Sequence, residues 1–471
     1  MDFCSMLRLV QFLISVTSLP SSADTVDMFR KRPQDFTRKS KMDFLRLLYF
    51  VIFRFCSNTN SEAAFFYANI NCGSEQITRQ SIFARIRCLS YSGWETLMKK
   101  FSELFYSSGS LVKKLKGYLL WATDTSAVEF SDSAESRAQL GVHLGNHTSK
   151  QSDAGKVLAR CGGLLDILNS FFVDYVIKPF SCSERSILRD QLLKYQSILS
   201  LHKIIVLGDR GYISLALMVL MNHLGFKFCI RGRRSDYRSL IGRMASNDEN
   251  IIIKATKSVL ARLDDPIVLD WLKEHGSFSV RVVKQYFTNP KNGQMELWIY
   301  FTNLSQEEFS TEEITKLYAR RWRIETTYRT LKVECEWERH TSAKVEIAYN
   351  LLYGKVFHYN LNGIIRMEFE RGLVKKADDK YEPCVNEQAL FEKLIAENLL
   401  GALYYSDFGR LFRIMQNVND SLHALKGTIR PDRHYDRWGR PVKTSHKYRF
   451  RIDGRSYPKV SLINGCMRTC K

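Results

Sequence analysis

The chain has 471 residues, 45% hydrophobic and 25% charged, with 70 Lys and Arg against 49 Asp and Glu, for a net charge of +21. That length exceeds one simple core and predicts two to four domains, and the composition excludes a disordered or fibrous chain. The excess positive charge points to a polyanionic partner, nucleic acid before an anionic membrane.

The 11 cysteines are scattered, with no Cys-x-x-Cys spacing and only Cys466 and Cys470 close together. Neither a zinc site nor a disulfide scaffold is expected, and reduced thiols in a cytosolic compartment fit the pattern. No stretch reaches 18 apolar residues without interruption, so no membrane partner is expected. At the start, Leu7 to Leu19 is apolar and Ser21-Ser22-Ala23 resembles a cleavage site. But Asp2 precedes the run, Gln11 interrupts it, and Arg8 is the only early cation. A leading helix, or a start at Met28, is preferred to an export signal.

Basic residues then run from Arg30 to Lys41, and the apolar stretch Phe44 to Phe55 predicts a buried helix. Residues 61–92 read as helix, turn and helix. The first helix covers Ser61 to Asn69, and the second starts near Thr78 and offers Arg79, Gln80, Arg85 and Arg87. A helix-turn-helix would place such side chains, Arg79 and Arg85 among them, in a DNA groove. An ordinary helical hairpin with a solvated basic face is the competing reading.

From Gly117 the pattern changes. Tyr118-Leu-Leu-Trp-Ala-Thr-Asp124-Thr125 is a short apolar run ending in an aspartate, as a buried strand would deliver a carboxylate to its tip. Strands are expected at Lys156–Leu165 and Phe171–Ile177, and a helix over Ser183–Leu199. His202 to Asp209-Arg210-Gly211-Tyr212 repeats the strand-to-aspartate device, with a glycine for the turn. A helix at Leu215–Leu224 and a strand at Phe226–Ile230 follow. This alternation predicts an α/β layer. Residues 232–302 hold strand-like pieces at Ile251–Ile253, Phe278–Val283 and Glu296–Thr302, and read as a β-rich insertion.

Tyr318 to Lys332 contains no Gly or Pro and follows a Thr311-Glu-Glu-Ile start, so one helix is expected. On it Tyr318, Arg321, Glu325 and Lys332 fall within an arc of about 60°. A carboxylate can hold a hard divalent cation, and Arg, Lys and Tyr can hold phosphate oxygens. The bland alternative is a solvated charged face. Further helices are expected at 342–369, 387–405 and 408–426. The basic tail from Arg430 to Lys459 interleaves Tyr435, Trp438 and Tyr448 with its cations, which suits a nucleic-acid surface or a solvated tail.

Asp124, Asp209 and Glu325 together could share two metal ions, one activating the attacking hydroxyl and one stabilising the leaving oxygen. Taken singly, aspartates at strand ends are commonly turn formers.

The order strand-Asp, strand-Asp, helix-Glu resembles the DDE transposases of bacterial insertion sequences. The closest likeness is to the group with a Tyr-x2-Arg-x3-Glu-x6-Lys signature, complete here in Tyr318, Arg321, Glu325 and Lys332. Asp209-Arg-Gly-Tyr212 resembles that family's second-aspartate motif, and Asp124-Thr125 its first more loosely. The resemblance covers about residues 30–450 and is strongest at 205–212 and 298–332.

It implies a mixed-sheet RNase H-like core, interrupted by the β-rich insertion and flanked by helical N- and C-terminal regions. The resulting division is a leader at 1–29, a helical DNA-binding domain at 30–110, core at 111–231, insertion at 232–302, core again at 303–370 and a helical region with basic tail at 371–471. Asp124, Asp209 and Glu325 would bind two Mg2+ (or Mn2+) ions. Tyr318, Arg321 and Lys332 would grip phosphates near the DNA end, and Trp298 would stack on an extruded base, with Trp271 as substitute. Arg210 and Arg323 would be further phosphate contacts. His143 and His147 are read as loop residues, not ligands. The resemblance also implies double-stranded DNA as partner, a homodimer in the synaptic complex, no small-molecule substrate, and a bacterial cytoplasmic, nucleoid-associated location. A nuclease of the same core that does not join strands, or a DNA-binding derivative without catalysis, remain the alternatives.

Overall fold

The computed structural model describes residues 1–54, 58–73, 75–143, 155–288, 293–333, 344–375 and 380–429, and the backbone of four short strands within 451–469. The basic tail residues Arg433, His434, Tyr435, Arg437, Trp438, Arg440, Lys443, Lys447, Tyr448 and Arg449 lie outside the described residues, as does His147.

Each apolar run ending in an aspartate is a strand. They are β1 (Tyr118–Glu129) and β4 (Lys203–Gly208), with β2 (Leu158–Asp166) and β3 (Phe171–Pro179) between them. β5 (Lys227–Gly232), β6 (Asp248–Lys254), β7 (Ser277–Thr288) and β8 (Met295–Thr302) complete one sheet in the order β3-β2-β1-β4-β5-β8-β7-β6. β3, β2 and β1 are antiparallel, whereas β4 and β5 run parallel to β1. That is the strand order and sense of an RNase H-like core. Continuous apolar runs suit β1 and β4 because both are covered on each face. The segment read as an insertion extends the same sheet, β8 pairing antiparallel with β5, and adds the helix Pro266–His275.

Helices cover the sheet. The longest, Val345–Arg371, is buried along most of its length. It is pinned to β3 by Asn360, whose amide accepts from Phe172 N at 2.7 Å and donates to Phe172 O at 2.9 Å. The helix Ser92–Ser107 docks through Tyr106, which accepts from Trp121 Nε1 at 2.8 Å and donates to Asp166 at 2.9 Å. The leading segment is helical over Phe3–Ser21, and Asp2 explains itself as its cap, accepting from Ser5 N at 2.8 Å. This helix is long and apolar enough to cross a membrane, but half of that stretch is buried against the protein.

The two N-terminal helices thought to form a helix-turn-helix span Thr59–Asn69 and Arg79–Ile86. Residues 70–78 connect them, longer than the three- or four-residue turn that motif needs. Arg85 is tied inward, Nε donating to Met42 O at 3.1 Å with its guanidinium over Phe36, whereas Arg79 is exposed over Phe83.

Arg281 on β7 is the bolt between the added strands and the helices that follow. It is 4% exposed, forms a two-pronged pair with Asp248 at 2.7 and 2.6 Å, and donates NH1 to the carbonyls of Leu304, Ser305 and Phe309. Arg281→Ala strands a buried carboxylate and frees three carbonyls. A loss of about 3–5 kcal/mol of unfolding free energy is expected, measurable by urea denaturation.

His358, on the long helix, is buried between Phe53 and Phe391. Burial holds its pKa down at about 3. The unfolded chain, with a histidine near 6.5, binds more protons between those values. Stability is therefore full above about pH 6.5 and falls as pH drops towards 3, by about 2 kcal/mol at pH 5. Comparing pH 7 with pH 5 denaturation of the native protein and His358→Gln checks this: the variant should show a loss smaller by that amount.

Candidate active site

The parallel register of β1 and β4 sets the site. Ala122 lies opposite Leu207 in the last pair of that ladder. Asp124 and Asp209 each follow two residues later, beyond the last β1–β4 pair: Asp209 just past the end of β4, and Asp124 not at a strand tip as expected but within β1, which runs on to Glu129. Neighbouring strands are about 4.8 Å apart, which puts two carboxylates within reach of shared cations. Burial, together with the charges of Asp209 and Glu325, raises the pKa of Asp124 to about 7, while the Thr125 N–H and Arg321 oppose the shift. Asp124 therefore feels the charge of both other acids.

Glu325 arrives on a helix, but not on the single helix expected. Thr311–Ala319 ends, and Trp322–Val333 begins after a tight turn at Arg320 and Arg321. The turn is built from three-residue steps, Arg321 N to Tyr318 O at 2.9 Å and Ile324 N to Arg321 O at 3.1 Å. Tyr318, Arg321 and Glu325 still converge. Arg321 Nε donates to Tyr318 OH at 3.1 Å, and its NH2 donates to Glu325 Oε1 at 2.6 Å. Arg321 is only 7% exposed. Burial works against its charge, yet Tyr318, Glu325 and Asp124 hold its pKa above the ordinary value. Lys332 stands further along the same helix, Nζ 3.4 Å from Ala127 O on β1.

The helix seats on the sheet through Tyr328. Its OH is 3.1 Å from both Asp124 O and Cys161 O and donates there. Gly163, opposite Asp124 in the β1–β2 ladder, makes this approach possible. A Cβ there would lie 2.7 Å from Tyr328 OH and 2.5 Å from Phe172 Cε1.

Trp298 lies on β8 between its two neighbouring strands. Arg231 of β5 stacks its guanidinium 3.9 Å from the ring centre, and the Phe287 ring of β7 is 4.6 Å away. Arg231 also bears on the phenols of Tyr300 and Tyr318, whose rings are 5.1 Å apart. A continuous run of aromatic and cationic groups thus joins Trp298 to Arg321 and Glu325. Trp271 is elsewhere, stacked on His275 and edge-on to Phe278. Arg210 is exposed beside Asp209. Arg323 lies on the side of Tyr359 and Cys384. His143 packs against Phe180.

Residue spacing did not reveal Glu184, Arg160 or Arg231, nor the role of Thr125 as partner to the first two. Glu184 accepts from Thr125 Oγ1 at 2.7 Å and pairs with Arg160, 59 and 24 residues away in the chain. Trp322, beside Arg321, is 61% exposed.

Carboxylate oxygens suit a hard divalent cation. Among the described residues, however, no three His, Cys, Asp or Glu side chains stand close enough to hold an ion between them. The reason is local. Asp124 accepts from Thr125 N at 2.8 Å, Asp209 from Gly211 N at 2.7 Å, and Glu325 from Arg321. Each acid is turned to its own donor. The donor chemistry fits a divalent metal, and such an ion would offset the burial, and the lesser repulsion, that raise Asp124.

No curated protein matches the chain. The cryo-EM structure of a piggyBac transposase synaptic complex with hairpin DNA is similar at 12% identity and a TM-score of 0.42, over 93% of this chain and 90% of that one. Residues 141–361 match the family described as Transposase DDE domain, a span that includes Asp209 and Glu325 and begins after Asp124. That stretch, a little under half of the chain, is thus similar to a transposase DDE domain.

Proposed function

We propose that the protein is a transposase of the bacterial insertion-sequence group bearing the Tyr-x2-Arg-x3-Glu-x6-Lys signature. It binds the terminal inverted repeats of its element as a dimer, cuts them, and joins them to target DNA. The observation that carries this reading is the placement of Asp124 within β1 and of Asp209 just past the end of its parallel neighbour β4, with Glu325 paired to Arg321, whose charge also acts on Asp124. The similarity to a DDE domain supports it.

Asp124, Asp209 and Glu325 would hold two Mg2+ or Mn2+ ions. When bound, these supply Lewis-acid activation of the attacking and leaving oxygens. The chain's own groups do the rest. Arg321 orients Glu325 and offers a buried positive charge to a phosphate close to the acids. Tyr318 fixes Arg321 through its hydroxyl. Lys332 and Arg210 offer further charge for the backbone of the DNA end. Trp298 offers an aromatic face to an extruded base once Arg231 moves aside.

The experiment is cleavage of plasmid DNA containing an element end, with Mg2+, followed by incubation of pre-cut ends with target. Cleavage with joining supports the transposase reading. Cleavage without joining makes the protein a nuclease. Binding without either leaves a DNA-binding derivative and overturns the proposal.

A further inference from the structure

Beyond Ala122 and Leu207, β1 and β4 are no longer paired. Asp124 remains held, because β1 continues against β2 as far as Glu129. The Asp209 turn has left the β1–β4 ladder; it follows the β4–β5 pair Gly208–Ile230 and is closed by Tyr212 N donating to Asp209 O at 3.1 Å, so on the β1 side it is tied by side chains. Glu184 stands between the two. It is the first residue of the helix Glu184–Tyr195, capped by Ser183.

Its Oε1 accepts from Thr125 Oγ1 at 2.7 Å and pairs with Arg160 of β2. Arg160 NH1 is also 3.2 Å from Thr125 Oγ1, and its Nε and NH2 each donate to Phe180 O at 3.2 Å. On the other side, a Cβ at Gly211 would sit 3.1 Å from Glu184 Oε2 and 3.0 Å from Asp209 Oδ1, so both carboxylates close on that glycine. The next residue of the helix, Arg185, donates Nε to Gly211 O at 2.7 Å. One helical turn thus touches the residue after Asp124 and the turn that follows Asp209. The Arg160 and Glu184 side chains are 17% and 35% exposed, so their pairing adds little to global stability. Its value is geometric.

We propose that Glu184 is a positioning residue that ties the Thr125–Arg160 side of the site to the Asp209–Gly211 turn and so sets the spacing between Asp124 and Asp209. This rests on the reading of those aspartates as the metal-holding pair. A misplacement of about 1 Å at such a site costs on the order of a hundredfold in rate.

The test uses the full chain with Glu184→Ala, Glu184→Gln and Thr125→Val. The readouts are single-turnover cleavage of pre-bound end DNA, Mn2+ affinity of the DNA-free protein by electron paramagnetic resonance, end-DNA affinity and Tm. Glu184→Ala is expected to cut at least about tenfold more slowly and to bind Mn2+ more weakly, with DNA affinity and Tm close to native. Glu184→Gln keeps an acceptor for Thr125 and should recover most of the rate. Native rate and Mn2+ affinity in Glu184→Ala would overturn the inference, as would a loss that only tracks Tm or DNA affinity. If Glu184→Ala does not fold, Thr125→Val decides, a slowed rate supporting the inference and a native one overturning it. A native protein that neither cuts end DNA nor binds Mn2+ removes the underlying reading itself. A native protein that cuts while Glu184→Ala cuts equally removes only this inference.

Discussion

Replacing Asp124, Asp209 or Glu325 with alanine is expected to lower cleavage of end-containing DNA by at least about a thousandfold, with end binding held within a few-fold. Asp124 within β1, Asp209 just past β4 and Glu325 on its helix contribute the carboxylates at a crowded anionic point, where Asp124 already resists ionising because it is buried near the other two acids. Removing one acid eases that repulsion, so the folded protein is not expected to weaken, and lost activity would report on chemistry rather than unfolding. The cations proposed to hold phosphate lie outside the triad, which is why binding should survive. Gel assays of nicking and mobility shift, run side by side with Mg2+ and with Mn2+, check the split. Full cleavage by any one of the three variants would remove that residue from the site.

Gly163→Ala is expected to cost about 1–3 kcal/mol through overpacking and to lower the cleavage rate by on the order of a hundredfold through displacement of Glu325. The added methyl meets Tyr328 OH and the Phe172 ring well inside contact distance. The strand is buried between partners, so the helix Trp322–Val333 is the more movable side. Glu325 is one turn from Tyr328 on that helix and moves with it. Tyr328→Phe removes the hydroxyl that the methyl would strike. Adding it to Gly163→Ala should therefore restore part of the rate, the Phe172 contact remaining. Single-turnover kinetics and urea denaturation of the two single variants and the double variant test the coupling. Additive effects in the double variant would argue against this route.

The sheet was largely legible in the sequence, for a physical reason. Tyr118 to Ala122 and Ile204 to Gly208 are unbroken apolar runs followed within two residues by an acid, a pattern that a strand buried on both faces demands. Their neighbour relationship was not legible, because it depends on which strands pair. The helix Leu215–Leu224 falls where its periodicity predicts it.

The misread helix is instructive. With no Gly or Pro near Arg320 and Arg321, local propensity has no reason to stop there. The turn is made by tertiary burial, which takes Tyr318 and Arg321 inward and leaves Trp322 outside. Tyr318, Arg321 and Glu325 still meet, through hydrogen bonds across the turn rather than by sharing one helical face, while Lys332 reaches Ala127 O on β1. Glu184 and Arg231 escaped notice for the opposite reason: their neighbours are distant in sequence, and neither stands in a motif. The N-terminal helix pair shows the converse error. A basic second helix suggested groove reading, yet Arg85 turns inward, its Nε donating to Met42 O and its flat face on Phe36.

The strands after β5 do not form a separate lobe, and this has a mechanical consequence. Walking from β1 through β4 and β5 to β8 takes three strand steps, about 14 Å, every step a hydrogen-bonded ladder. Asp124 and Trp298 therefore ride on one stiff plate. The span from the acids to the indole behaves as a fixed gauge, insensitive to loop motion. Lengthening or shortening the connections between these strands would leave that gauge unchanged. Only altering a ladder register would reset it.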